Sequence, residues 1–128
     1  MTRKEHSKAL RAHPQVHYNC AQAVLIPFAG DMGLTPEQAN ALTLNFGAGM
    51  GCGAVCGAIS GAFVAMGGLG MPQEKRVELL RGFRAAHGHV ECAQLLKAAM
   101  ERGEERKCHC DRMVAWCMDW VSRESGLE

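Results

Sequence analysis

Aromatic residues are scarce, with 1 Tyr, 2 Trp and 4 Phe among 128 residues. Val, Ile, Thr and Tyr are too sparse and too irregularly spaced to alternate as strands, which argues against a β-sheet. Charge of one sign is also missing: 14 Lys+Arg stand against 13 Asp+Glu, for a net charge of +1. Interleaved charges so nearly balanced leave no electrostatic footprint for a nucleic-acid backbone or an anionic membrane surface, so neither partner is expected. Between Gln38 and Gln73 there is no charged residue at all. The most apolar part of that stretch, Ala54 to Leu69, falls short of the ~20 residues a membrane span needs and contains several glycines. It reads as a buried core helix. No paired C-x-x-C is present, which excludes a zinc ribbon and a thioredoxin-type motif. No Ser/His/Asp arrangement or acid–base pair is visible, so an independent enzymatic activity is left open. The charged N-terminal stretch from Met1 to His6 carries no apolar signal region, and a cytoplasmic location is expected.

What the chain does have is soft side chains: 7 Cys, 8 Met and 6 His. Soft ligands suit soft metals and redox chemistry. At this length one domain, residues 1–128, buries enough surface to fold without disulfide staples, and an odd cysteine count at about 5% disfavours a fully paired secreted scaffold. The cysteines therefore need another explanation.

The periodicity predicts an all-α bundle of six or seven helices around a central Gly/Ala-rich buried helix. The first runs from about Thr2 to Ala12 and the second from Tyr18 to Met32, with a kink at Pro27 and a stop at Gly33. Thr35-Pro36-Glu37-Gln38 is a capping box with Pro in the first turn, opening a third helix that ends near Phe46. Gly47 to Gly53 is a loop with four glycines. It is not a P-loop, because no Lys-Ser or Lys-Thr follows, nor a dinucleotide fingerprint, because no strand precedes it; no nucleotide is expected. The buried helix then covers about Ala54 to Met66, with Gly57, Gly61 and neighbouring alanines letting helices approach closely. Pro72 to His87 follows, with Val77, Leu80, Phe83 and His87 placed inward. Val90 to Glu101 and Cys110 to Arg123 are the last helices, joined by a charged connector from Arg102 to Lys107.

Helical phase places Cys20 with Val24 and Phe28, Cys56 with Ile59 and Phe63, and Cys92 with Leu95 and Leu96; Cys110 and Cys117 flank Met113 and Val114. Four helices thus each turn a cysteine inward. Cys20, Cys56 and Cys92 also fall near helix starts, where the positive end of the helix dipole lowers a thiol's pKa. If helices alternate up and down, those three thiols converge, and Cys117 reaches them more readily than Cys110 unless the connector reverses the last helix. Each cysteine taken singly is also explained by packing. Cys52 and Cys56 at i, i+4 are candidate redox thiols, and Cys108-His109-Cys110 is a compact soft cluster suited to Cu(I) or Zn. His87 and His89 are candidate ligands or bases, whereas His6, His13 and His17 read as solvated.

The chain resembles the family of redox-active proteins named for the cysteine pattern C_GCAxxG_C_C. Tyr18-Asn19-Cys20-Ala21-Gln22-Ala23-Val24-Leu25 looks like its first cysteine segment. Phe46-Gly47-Ala48-Gly49-Met50-Gly51 followed by Cys56-Gly57-Ala58-Ile59-Ser60-Gly61-Ala62 looks like its Gly-rich loop and central signature. Gly88-His89-Val90-Glu91-Cys92 looks like the third segment, and Cys110-Asp111-Arg112-Met113-Val114 like the fourth. The family label writes G-C-A where this chain has Cys56-Gly57-Ala58; Cys52 begins an overlapping match, and Cys108 and Cys117 are extra thiols. The resemblance implies a redox-active or cofactor-binding protein working beside oxidoreductase and transport functions. The leading expectation is a thiolate-ligated centre, an iron–sulfur cluster by preference, on Cys20, Cys56, Cys92 and Cys110, with Cys108, Cys117 and His109 as alternate metal ligands. It would serve an oxidoreductase or electron-transfer partner. The alternatives are a metal-free dithiol in which Cys56 attacks and Cys52, Cys20 or Cys92 resolves, and a soft-metal module for Cu(I) or Zn at Cys108, His109 and Cys110.

Overall fold

The computed structural model describes residues 1–128 and is all-α, with a single isolated β-bridge between Val55 and Glu91. Seven α-helices occur: α1 Arg3–Arg11, α2 Cys20–Leu25, α3 Pro36–Leu42, α4 Gly57–Gly68, α5 Lys75–His87, α6 Cys92–Glu101 and α7 Arg106–Ser125. Local signals set most of the boundaries. Thr2, Asn19 and Thr35 each cap a helix through a reciprocal capping box, with Glu5, Gln22 and Gln38 returning to the cap's N–H. Pro27 removes one amide donor, and the second helix narrows from α2 into a 3-10 stretch over Ile26–Met32. Gly33, left-handed at φ 75°, ends it.

α4 is the hub of the core. Its buried residues include Ala58, Ile59, Ala62, Ala65 and Met66, and it packs most closely on α2. Gly61 makes that approach possible, because a Cβ there would lie 2.6 Å from the Ala21 carbonyl oxygen. The 20-residue α7, about 30 Å long at 1.5 Å per residue, is the strut against which α1, α2 and α4 pack. Phe83 of α5 meets Trp116 of α7 edge-on at 5.3 Å. No helix is long and apolar enough to cross a membrane.

Two expected helix starts and one helix phase are corrected by the structure. The stretch before α5 turns through Pro72 to Glu74, and the helix starts at Lys75. Its buried face is Leu79 and Phe83, whereas Val77 is 43% exposed, so the helix is rotated from the expected phase. The last helix starts at Arg106 rather than Cys110, because Arg106, Lys107 and their neighbours are adequate helix formers and the charged connector shrinks to a turn ending at Glu105.

Candidate functional site

The starts of four helices open onto one cavity of about 350 Å3. Asn19 and Cys20 bring the start of α2, Cys56 and Gly57 that of α4, Cys92 that of α6, and Glu105 and Arg106 that of α7. Cys110, one turn into α7, completes a lining of four cysteines, with Leu95, Leu96 and Met113 as apolar wall. Helix starts carry partial positive charge from unpaired N–H groups. Arg11, Arg106 and Lys107 add full charges at the cavity wall.

The backbone fixes two of the sulfurs. The Cys56 N–H donates to the Val90 carbonyl at 2.8 Å, and the Cys92 N–H donates to the Ala54 carbonyl at 2.6 Å. The Gly-rich segment before them forms a wide turn in which Ala48 and Met50 adopt left-handed conformations at φ 54° and 58°. A left-handed non-glycine residue costs roughly 1–3 kcal/mol and persists where its surroundings over-determine it, commonly at functional sites. Gly49 is irreplaceable here: φ is +60°, and a Cβ would meet the Ala54 nitrogen at 2.5 Å and the Cys92 Cβ at 2.9 Å.

The four thiols are not equivalent. Cys110 is held down to about 6, first by the neighbouring Cys20 thiol and then by the charges of Arg11 and Arg106, which together outweigh burial. Cys20 is pushed well above the usual thiol range, first by that partnership, then by burial and the nearby Cys56. Burial pushes Cys56 up to about 11 although the Ala58 and Ile59 amides partly offset it, and it raises Cys92 too. At Cys20, Cys56 and Cys92 the expected lowering by the helix dipole therefore loses to neighbouring sulfur and desolvation.

Arg11 was invisible as a site residue in the sequence. Its side chain is only 7% exposed; Nε donates to Asp111 Oδ1 at 2.7 Å and Nη1 to the Tyr18 carbonyl at 2.8 Å. That clamp holds a guanidinium from α1 against the Cys20–Cys110 pair. The only advance signal was an arginine at i+7 from Lys4 on a polar helix.

Of the remaining candidates, His109 lines the cavity, but burial depresses its pKa and its Nδ1 points 3.7 Å away at Glu104. Cys117 is fully buried in the core near Cys56 and does not line the cavity, and Cys52 and Cys108 are exposed. The up-and-down argument for Cys117 fails because Gly103, left-handed at φ 73°, caps α6 and turns the chain, and Glu104, held by Arg112 at 2.7 Å, follows it so that α7 begins at the cavity. His87 packs edge-on against Phe83 and Trp116, away from the thiols. His17, expected on the surface alone, is exposed yet borders the cavity. All seven cysteines are free thiols. No three His, Cys, Asp or Glu side chains converge tightly enough to hold a single metal ion.

The all-α scaffold thus gathers three thiols at helix starts and a fourth one turn into α7 around one cavity with cationic residues in its wall. The chain belongs to the family described as "Putative redox-active protein (C_GCAxxG_C_C)", which it matches over residues 18–124. No curated protein and no solved structure matches it. The family match begins after α1, so Arg11 lies outside the matched region while forming part of the cavity wall.

Proposed function

We propose that the protein is an electron carrier whose cavity holds an iron–sulfur cluster on Cys20, Cys56, Cys92 and Cys110. The observation that carries the reading is that four cysteines from four helices line one cavity. Four thiolates are the usual ligand set of such clusters. The sulfurs face one another across the cavity without gathering at one point: Cys110 neighbours Cys20, Cys56 and Cys92, and Cys56 neighbours Cys20 and Cys92. A ring of thiols spread around a cavity suits a multi-iron cluster better than a lone Zn or Cu ion, which needs its ligands gathered at one point. The helix starts and the arginines offset the negative charge of a thiolate-bound cluster. Such a cluster supplies one-electron transfer. The chain's own residues bind it, exclude water with Leu95, Leu96 and Met113, and present it to an oxidoreductase or electron-transfer partner. Seven unpaired thiols suit a reducing compartment, and on that ground we assign the protein to the cytoplasm.

Anaerobic purification followed by visible absorption, with iron and sulfide measured per chain, tests the reading. We expect a brown protein with iron and sulfide in a fixed ratio, and loss of both colour and iron in Cys56→Ser with an unchanged far-ultraviolet spectrum. A colourless, metal-free protein overturns it in favour of a second reading, which the Cys20–Cys110 contact supports. In that case the Cys110 thiolate attacks a disulfide substrate, one substrate thiol leaves, and the Cys20 thiol displaces the second to leave a Cys20–Cys110 disulfide.

A further inference from the structure

The loop from α1 to α2 is tied down by its own side chains. His13 Nδ1 accepts from the Gln15 and Val16 amides at 3.1 and 3.0 Å, and its ring meets Tyr18 edge-on at 5.9 Å. Tyr18 is thereby brought back against the end of α1, where the Arg11 guanidinium reaches two places at once. Nη1 donates at 2.8 Å to the carbonyl of Tyr18, two residues before Cys20. Nε donates at 2.7 Å to Asp111, the residue after Cys110. Asp111 is steadied in turn from within α7, its other oxygen accepting from Lys107 at 2.9 Å. One side chain thus ties the approach to α2 to the second turn of α7, the two places that carry Cys20 and Cys110.

An exposed ion pair does little to fix geometry, because both side chains stay free to move. The Arg11 side chain is only 7% exposed, and its planar fork holds the two bonds in fixed directions. We propose that Arg11 is a positioning residue of the cysteine cavity: by clamping the Tyr18 carbonyl to Asp111 it fixes how the Cys20 and Cys110 sulfurs stand, so that both engage one thiophilic centre. The inference rests on the reading above, in which these two thiols serve the same centre. The clamp's two anchors lie within the family-matched residues 18–124, and the clamp itself lies outside them.

Phenylarsine oxide tests the clamp without iron. Its arsenic forms bonds to two thiols, both thiol protons leave with the oxide oxygen as water, and no oxidation state changes. Titration of the reduced, metal-free, full-length protein in competition with 2,3-dimercaptopropanol gives the affinity, and peptide mass spectrometry after alkylation gives the bridged pair. The arsenical is expected on Cys20 and Cys110. Arg11→Lys keeps the cation and loses the fork, and Asp111→Ala removes an anchor. Each is expected to weaken the arsenical by about tenfold or more with an unchanged far-ultraviolet spectrum, because two groups that act together tolerate little misplacement. Asp111→Asn still offers an oxygen to Nε and is expected to retain most of the affinity, a rescue that general loosening of the fold would not give. The clamp is overturned if Arg11→Lys and Asp111→Ala bind the arsenical as tightly as the unaltered protein, if Asp111→Asn falls as far as Asp111→Ala, or if the arsenic bridges another pair. An iron-free protein that shows the expected pattern supports the clamp and overturns the cluster alone.

Discussion

Iodoacetamide is expected to label Cys110 far faster than Cys56 in the metal-free protein at pH 7. With Cys110 held at about 6 and Cys56 pushed up to about 11, the thiolate fractions differ by about 10⁴. A thiolate of low pKa is also the weaker nucleophile, and a Brønsted slope of ~0.4–0.5 returns a factor of about 100–300, leaving Cys110 ahead by about 50-fold. Access acts in the same direction, since Cys110 is half-buried and Cys56 is 5% exposed. Because the Cys110 value is lowered, its thiolate dominates above pH 6 and is lost as pH falls through that point. Labelling should therefore reach half its maximum near pH 6, and peptide mass spectrometry after timed quenching measures it site by site. Arg11→Met should move the half-point upward by removing a cation that favours the thiolate. Equal labelling of the two cysteines, or a half-point in the ordinary thiol range near 9, contradicts the assignment.

Gly61→Ala is expected to lower the melting temperature, although alanine is the better helix former by ~1 kcal/mol. The new Cβ would sit 2.6 Å from the Ala21 carbonyl oxygen and 2.8 Å from its Cα, and backbone atoms cannot rotate out of the way as a side-chain tip can. Forcing α2 and α4 apart costs about 3 kcal/mol, typical of overpacking, so the net loss is about 2 kcal/mol, or about 7 °C for a domain of this size. Gly67→Ala, in the same helix with nothing within 4 Å of its Cβ, is the control and should be neutral or slightly stabilising. Thermal melts of the two variants side by side distinguish a packing contact from a general intolerance of side chains in α4.

Helix phase made the inward set of Cys20, Cys56 and Cys92 legible, because a period of 3.6 is written directly into the spacing of their apolar neighbours. The same holds for the start of α3, where Thr35 and Gln38 meet in the expected reciprocal bonds at 3.1 and 2.9 Å. What periodicity does not carry is the path of the chain between helices. Whether Cys110 or Cys117 faces the other thiols depends on how residues 102–105 turn, and that turn is a Schellman cap closing α6, with Gly103 at φ 73° and the Gly103 and Glu104 amides donating to the Met100 and Ala99 carbonyls at 3.0 and 2.9 Å, after which Arg102 and Arg112 hold Glu104. The left-handed conformations of Ala48 and Met50 were hidden for a related reason: glycine advertises such backbone freedom, and these two residues do not. Arg11 belongs to the same class, since its burial is created by Asp111 one hundred residues away.

The two-rung backbone link between Ala54–Cys56 and Val90–Cys92 has a bearing on speed. Its amide bonds, rather than side-chain packing alone, set how far apart the sulfurs of Cys56 and Cys92 stand. A main-chain ladder is stiff, so when the charge inside the cavity changes these sulfurs have little freedom to follow it. In the electron carrier proposed above, such stiffness would keep small the energy spent on reshaping ligands and solvent at every exchange.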